Sequence, residues 1–258
     1  MNESTRRHGL ITLRILTITC LFALAQPAPA VDIPPHITAV MQAEDRWARD
    51  RKRDQRSKPG EVLAFAGVEP GMHVLDLYTG GGYWAEVFAR SVGPTGTVVA
   101  QTNTAYRNFA GPLLTSRFKN NRVAGVTVLD SEVNDLKLGQ ARFDLIFIAL
   151  GYHDNYYYAD FWPLPGRERW FAQLYEALKP GGHIVIVDHA ALAGTGNTAA
   201  QKLHRIDEDF AIADFERAGF ELVGSSDVLR NAEDDRKSNV FDDHIRRQTD
   251  RFILRFVK

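Results

Sequence analysis

The chain has 258 residues, of which 45% are hydrophobic and 24% are charged, so it has the length and apolar content of one large α/β domain. This composition excludes a disordered chain as the first hypothesis. The formal net charge of −1 provides no field that attracts nucleic acid, so we expect no DNA or RNA partner.

Residues 1–30 have the pattern of a secretory signal peptide. Three arginines flank or precede an apolar run from Ile15 to Ala25, which is too short to span a bilayer with ease. The run is followed by Ala28-Pro29-Ala30, a small-x-small cleavage pattern. We therefore expect a periplasmic or secreted protein, with no stable membrane insertion after cleavage. An uncleaved membrane anchor is the alternative.

Cleavage would remove Cys20, which is the only cysteine of the chain. The mature protein would then have no internal disulfide, no thiolate metal site and no thiol nucleophile. We expect it to form a single domain over residues 31–258, with residues 31–60 as a helical extension.

That extension begins with a predicted helix over residues 35–57, which Pro59-Gly60 ends. Its second half, from Arg46 to Arg56, alternates Arg and Lys with Asp. Such a run is either a solvated helix face with i,i+4 ion pairs or a basic lid over an acidic group of a ligand.

The next segment is a buried strand, predicted over residues 72–77, that ends in a glycine turn. Asp76 lies near the end of the strand, and Gly80-Gly81-Gly82 precede a predicted helix over residues 83–92. Successive glycines let the backbone turn sharply and approach a ligand closely. A small molecule is therefore expected at the carboxyl end of this strand, where open α/β sheets bind their ligands.

Strands and helices alternate through the rest of the chain. The predicted elements are strand 96–101, helix 105–119 with an interruption at Gly111-Pro112, strands 126–129 and 143–148, helix 167–178, strand 183–187, helix 204–218, and strands 221–228 and 251–257. The last two strands meet through a loop alone. This order predicts an α/β fold with a mostly parallel, doubly wound sheet and one antiparallel strand near the carboxyl terminus.

Four stretches resemble the class I S-adenosylmethionine-dependent methyltransferases, a Rossmann-like fold, and the likeness covers residues 61–257. They are Gly71–Asp76 before the glycine turn, Phe143–Phe147, Leu178–Gly182 and Ala218–Phe220. Two further stretches, 204–207 and 226–231, are similar to a predicted secreted subfamily of this fold. A nicotinamide-binding Rossmann unit is the competing fold hypothesis, because Gly80–Ala85 nearly matches G-x-G-x-x-A. Asp76 and the Lys-Pro-Gly-Gly turn favour the methyltransferase.

The resemblance implies S-adenosylmethionine as cofactor and assigns residues to it. Gly80, Gly81 and Gly82 would approach its methionine part, and Asp76 would receive its ammonium group. Asp76 alternatively caps the following helix, a role compatible with the first. Asp130 stands at the family's adenine-amino position, or is a surface turn acid.

Two positions depart from the family pattern. Tyr78 stands where the first glycine is usual, and Gln101 where an acid usually binds the ribose hydroxyls. Glutamine still donates and accepts hydrogen bonds but cannot form the charge-assisted one. Both departures favour the alternative that the chain is a non-catalytic ligand-binding protein retaining the fold.

The catalytic candidates follow two strands that flank the expected cofactor crevice. His153-Asp154 follow the strand 143–148, and Asp188-His189 follow the strand 183–187. Either histidine is a candidate general base, and a surface position is the plain alternative. We predict His153, Asp154 and His189 as catalytic residues of a methyltransferase acting on a small-molecule substrate.

A metal-dependent O-methyltransferase is a second alternative, although we predict no metal. In that case a divalent ion would be held by Asp154, Asp188 and His189, as magnesium is held at these strand ends in the catechol-type O-methyltransferases. Histidine, however, suits zinc or iron better than magnesium. Export is an objection to any S-adenosylmethionine-dependent enzyme, since this cofactor is made in the cytosol.

Overall fold

A seven-stranded sheet lies at the centre of the fold, in the order β3-β2-β1-β4-β5-β7-β6. The computed structural model describes residues 31–162 and 164–258, so the predicted signal peptide lies outside the described residues. The strands are β1 (His73–Leu77), β2 (Thr97–Thr102), β3 (Val126–Asp130), β4 (Phe143–Ala149), β5 (Leu178–His189), β6 (Glu221–Ser226) and β7 (Arg251–Val257).

Strands β1 to β5 pair in parallel, and β7 is antiparallel to both β5 and β6. Helices follow β1, β2 and β4, and the hydrophobic clusters on the two sides of the sheet both contain helix residues, so both faces are covered. The predicted α/β fold with one antiparallel strand is confirmed.

Eight α-helices accompany the sheet in the described part of the chain. They are α1 (Pro35–Gln42), α2 (Ala48–Ser57), α3 (Pro59–Ala66), α4 (Tyr83–Val92), α5 (Thr104–Phe118), α6 (Arg167–Ala177), α7 (Ala200–Leu203) and α8 (Glu208–Arg217). None of these helices is long and apolar enough to cross a membrane.

Alternation along the strands divides the core into two hydrophobic clusters. Val74 of β1 packs in a cluster that contains residues of α1, α3 and α4, whereas its neighbour Leu75 packs in the cluster that contains residues of α6 and α8. This is the two-residue period of a strand covered on both faces. The strand ends are thereby held rigidly at one edge of the sheet.

Three predicted helices differ from the structure. The helix predicted over 35–57 is two helices, because Ala43 and Trp47 adopt extended backbone angles. The helix predicted over 204–218 begins later, at Glu208, since left-handed His204 ends α7 and Asp207 caps α8. The interruption predicted at Gly111-Pro112 is wrong: α5 runs through Pro112, and its later residues pack on the glycine turn.

Candidate active site

A cavity of about 550 Å³ lies at the carboxyl ends of β1, β4 and β5. Its volume is within the range of small-molecule sites, and its place is where open α/β sheets bind ligands. A larger groove of about 850 Å³ is lined by α6, α8 and flanking residues, and by no strand. We assign the site to the cavity of about 550 Å³, because the glycine turn and the candidate catalytic side chains line it.

The glycine turn forms one wall of the cavity, but its three glycines have different roles. A Cβ atom on Gly80 would meet nothing within 4 Å, so the backbone there is open to a ligand. On Gly81 it would lie 2.5 Å from Leu113 Cδ2, and on Gly82 2.7 Å from Phe118 Cε2. Gly81 and Gly82 therefore let α5 approach the turn, and Gly82 does not line the cavity.

Asp76 lies beside this turn and is only 1% exposed. Its carboxylate accepts hydrogen bonds from the Thr79 hydroxyl and from the backbone of Ala85 in α4. Burial raises its pKa to about 7, although these hydrogen bonds oppose the shift. The bond to α4 agrees with the capping role, and the position in the cavity wall agrees with a ligand-binding role.

Arg53 of α2 lines the same cavity. Its guanidinium lies 3.9 Å from the centre of the Tyr83 ring, and its Nε donates to Ser57 Oγ. It forms no ion pair with a carboxylate in the described part of the chain, and burial lowers its pKa. Of the two hypotheses for the charge run, this residue favours the basic lid.

Tyr78, at the position of the missing glycine, adopts a left-handed conformation with φ of 58°. Its ring stacks on Tyr106 with 5.6 Å between centroids and an interplanar angle of 2°. Its hydroxyl donates to Asn155 Oδ1 and accepts from Trp170 Nε1. The ring therefore forms a fixed wall, and the cavity remains open beside it.

Two predicted cofactor residues do not line the cavity. Gln101 is fully buried: its Oε1 accepts from the Tyr78 backbone, and its Nε2 donates to the Ser131 carbonyl. Asp130 is half-exposed and pairs with Arg107. Each side chain is engaged by protein groups and neither faces the cavity, so their ribose and adenine roles stay predictions.

Another part of the cavity lining, called here the histidine wall, carries His153, His189 and His204. His153 is 3% exposed, and its Nδ1 lies 2.7 Å from Asp188 Oδ1, which is completely buried. Asp188 also accepts from the His153 backbone N–H. The structure thus pairs His153 across two strand ends with Asp188, which directs its Nε2 towards Asp154 at 3.3 Å.

Two further histidines complete this wall. His189 Nδ1 and Thr249 Oγ1 form a hydrogen bond of 2.6 Å. The ring centroid of His189 lies 5.9 Å from that of His153. His204 Nδ1 lies 3.9 Å from Asp154 Oδ1. Sequence analysis did not place His204 in the site, since it is distant in sequence from His153, but the structure shows that it lines the cavity.

The surroundings shift the pKa values of His153 and His189 in opposite directions. Burial opposes the charged form of His153, but the carboxylates of Asp188 and Asp154 outweigh it and raise its pKa to about 9. Burial and the nearby cationic groups lower the pKa of His189 well below its usual range. Strong perturbation of neighbouring groups inside a cavity is typical of functional sites.

The residues at the glycine turn fit the methionine part of S-adenosylmethionine. Asp76 offers a carboxylate to its ammonium group, Arg53 offers a guanidinium to its carboxylate, and Gly80 leaves room for close approach. Tyr106 and Phe109, rather than Gln101 or Asp130, bound the cavity along α5.

Comparisons with known proteins identify methyltransferases that are similar to this chain. The chain is 28% identical over 128 residues to a ubiquinone/menaquinone biosynthesis C-methyltransferase UbiE from Cupriavidus taiwanensis, covering 49% of this chain and 47% of that protein. For the UbiE of Ectopseudomonas mendocina the identity is 26% over 171 residues, covering 66% and 59%. The chain thus spans about half the length of the curated relatives it matches.

A SAM dependent methyltransferase from Aquifex aeolicus has the same fold, with a TM-score of 0.56 at 21% identity, covering 81% of this chain and 97% of that one. Residues 53–206, more than half of the chain, match the model of the ubiE/COQ5 methyltransferase family. The chain therefore belongs to the ubiE/COQ5 methyltransferase family, whose cofactor is S-adenosylmethionine.

Proposed function

We propose that this protein transfers the methyl group of S-adenosylmethionine to a small aromatic acceptor that carries an ionisable hydroxyl. One observation carries the proposal: a single cavity has the glycine turn with Asp76 and Arg53 on one wall, and His153 and His189 on the other. The relatives are named as C-methyltransferases of ubiquinone/menaquinone biosynthesis, and this supports the choice of an aromatic acceptor.

The cofactor would be held at the glycine-turn wall by Asp76 and Arg53, through charge-assisted contacts to its ammonium and carboxylate groups. Bound there, it supplies an electrophilic methyl group on a sulfonium. The remaining requirement is a nucleophile placed close and in line, with its proton removed.

The acceptor would be held by the aromatic rings of the cavity. These rings belong to Tyr106, Phe109, Tyr157, Phe161, Trp162 and Phe241. They suit a flat apolar molecule and exclude water from its faces. Phe109 and Phe161 are 72% and 66% exposed, so they form the rim through which a molecule enters.

His189 would take the proton of the acceptor hydroxyl. Its Nδ1 is occupied by the Thr249 hydroxyl, which leaves Nε2 as the nitrogen available to a ligand. His153 is less available because its Nδ1 is bound by Asp188 and its Nε2 faces Asp154. The two histidines therefore have different roles in the proposal.

Calorimetry with S-adenosylmethionine tests the cofactor part of this proposal. We expect Arg53→Met to weaken binding about tenfold, which is the loss of about 1.4 kcal/mol. Arg49→Met is the matched control, since Arg49 lies on the same helix over Trp47 and does not line the cavity. No binding to the unaltered chain at millimolar cofactor would refute the enzyme and favour a ligand-binding protein.

Turnover is tested with radiolabelled methyl donor and a panel of phenols and quinols. We expect label in one acceptor class, and a rate reduced about 100-fold or more in His189→Gln, as for loss of a general base. Binding of the cofactor without label transfer to any phenol or quinol would contradict the proposed acceptor class.

Residues 1–30 further lead us to propose export to the periplasm or beyond, as in the predicted secreted subfamily. Amino-terminal sequencing of protein from the periplasmic fraction tests this. A start at or near Val31 is expected, and retention of the full chain in the cytosol would contradict it.

A further inference from the structure

The histidine wall holds three side chains whose possible metal-ligand atoms lie close together. They are His153, Asp154 and His204, and one nitrogen or oxygen of each lies within 4.8 Å of the other two. His153 comes from the end of β4, and His204 lies immediately after α7. We infer that these three residues bind one divalent transition-metal ion, Zn²⁺ or Fe²⁺, in the wall of the cavity.

The distances between the ligand atoms suit such an ion. His153 Nε2 lies 3.3 Å from Asp154 Oδ1, and His204 Nδ1 lies 3.9 Å from the same oxygen. Two ligands of zinc with bonds of ~2.0–2.1 Å are about 3.3 Å apart in a tetrahedron. All three ligand atoms lie within 4.8 Å of one another, so an inward movement of His204 is needed to complete three corners.

Each ligand is held in place by a second group, as is usual at metal sites. Asp188 binds Nδ1 of His153, so that Nε2 is the nitrogen directed to the ion. The Tyr106 hydroxyl donates to Oδ2 of Asp154 at 2.8 Å and leaves Oδ1 for the ion. These contacts fix which atom of each side chain is presented.

His204 is oriented by packing instead of by a hydrogen bond. Its ring lies between Tyr157, at 4.7 Å between centroids, and Phe241, at 5.0 Å. Its backbone is left-handed with φ of 53°, a conformation in which histidine is enriched among non-glycine residues. The aromatic pair restricts rotation of the ring and so lowers the entropic cost of binding an ion.

The ligand set selects the class of metal. Two imidazoles and one carboxylate with positions left open are typical of catalytic zinc sites and of non-haem Fe²⁺ sites. All three side chains line the cavity, so an open position faces the ligand space. The ion would therefore contact whatever molecule occupies the cavity.

This set differs from the one considered for a catechol-type enzyme. That set used Asp188 and His189, but Asp188 is fully buried and engaged by His153, and His189 binds Thr249. The structure instead brings in His204. The site stands on this geometry alone and does not depend on the proposed methyl transfer.

One consequence does rest on the proposed function. An acceptor hydroxyl bound at the open position would ionise more readily, because the cation stabilises the oxyanion. The O–H bond breaks with its electron pair left on oxygen, and the proton passes to His189 Nε2. The metal and the base would then act on the same hydroxyl from one wall of the cavity.

Metal uptake by the full chain, measured without S-adenosylmethionine, tests the site. Chelator-treated protein is titrated with Zn²⁺ by calorimetry, with Co²⁺ by visible absorption, and with Fe²⁺ under anaerobic conditions. We expect one equivalent of ion and a visible Co²⁺ band of a site with two imidazoles and one carboxylate. Because Zn²⁺ binds more tightly than Fe²⁺ at most such sites, metal analysis of protein purified without chelator, rather than relative affinity, distinguishes a zinc site from an iron site.

Two variants remove single ligands with little change in shape. His204→Asn keeps a residue that tolerates the left-handed backbone, and Asp154→Asn is nearly isosteric. Each is expected to weaken ion binding at least tenfold, with an unchanged circular dichroism spectrum. His244→Asn is the matched control, because this exposed histidine bonds Ser238 and lies outside the cluster.

The inference is overturned if the unaltered chain takes up no ion, or if His204→Asn binds it as tightly as His244→Asn does. Ion binding that is retained while cofactor binding fails refutes only the proposed methyl transfer. Cofactor binding and turnover by fully metal-free protein, with no ion taken up, refutes only the metal site.

Discussion

The two walls of the cavity bury charge in different ways. Behind the glycine-turn wall, Arg117 is almost fully buried and pairs with Asp50 and with Glu86, while its Nε donates to the Gly81 carbonyl. On the histidine wall, His153 has one partner, Asp188, and its other nitrogen is directed along the cavity wall towards Asp154.

The comparison shows that buried charge alone does not mark a functional site. The Arg117 cluster is closed: its charges neutralise one another and support the turn from behind. The histidine wall is open, because possible ligand atoms of His153, Asp154 and His204 lie within 4.8 Å of one another and all three residues line the cavity. The wall that is suited to catalysis or metal binding is therefore distinguished by titratable side chains that face the cavity, and not by burial alone.

Breaking the closed cluster should have the largest effect on stability. Arg117→Met leaves Asp50 and Glu86 buried without this partner, and we expect it to lower the free energy of unfolding by about 3–5 kcal/mol. Urea unfolding measures the loss. The half-exposed pair Arg107–Asp130 is the control, and Arg107→Met is expected to cost less than about 1 kcal/mol. Equal effects would show that the cluster is not a structural unit.

Asp76 gives a pH test of the glycine-turn wall. Its pKa is raised from 3.8 to about 7, so the folded state holds the proton more tightly than the unfolded state between these values. The contribution of Asp76 to the free energy of unfolding therefore falls as pH rises from about 4 to about 7. The total fall is about 4 kcal/mol.

Asp76→Asn removes this dependence, and the difference between the two unfolding curves isolates it from all other titrating groups. The nearby cations Arg53 and Arg117 favour the charged carboxylate and reduce the fall. Urea unfolding of both proteins from pH 4.5 to 8 is the measurement. A constant difference across this range would contradict the raised pKa.

Gln101 gives the smallest expected effect and tests whether the family acid could be restored. In Gln101→Glu the new oxygen faces the Ser131 and Thr102 carbonyls that now accept from Nε2. We expect a loss of about 1–3 kcal/mol in unfolding free energy and no gain in cofactor affinity. Tighter cofactor binding would show that residue 101 turns towards the ribose. Gln201→Glu is the matched control, because Gln201 of α7 accepts an exposed hydrogen bond from the Tyr158 backbone.

Much of the fold was predictable because it depends on local patterns. Apolar runs predicted the strands, and the helix 83–92 has the predicted bounds. The strand predicted over 183–187 is longer, because β5 begins at Leu178 and its pairing with β4 shifts register across the Lys-Pro-Gly-Gly stretch. The helix breaks at Ala43–Trp47 and at His204 were not predictable from periodicity. They depend on tertiary contacts, such as three guanidiniums over the Trp47 ring.

The site was predictable only in part. Because carboxyl ends of parallel strands share one edge of a sheet, the sequence alone placed Asp76, Gly80, His153, Asp154 and His189 near one another, and all of them line the cavity. It could not show that Gln101 turns inward, that Arg53 reaches the cavity, or that His204 meets Asp154. These outcomes depend on side-chain direction and on packing between segments far apart in sequence. Local sequence pattern thus determined the sheet and the glycine turn, whereas the tertiary structure decided which side-chain atoms face the cavity.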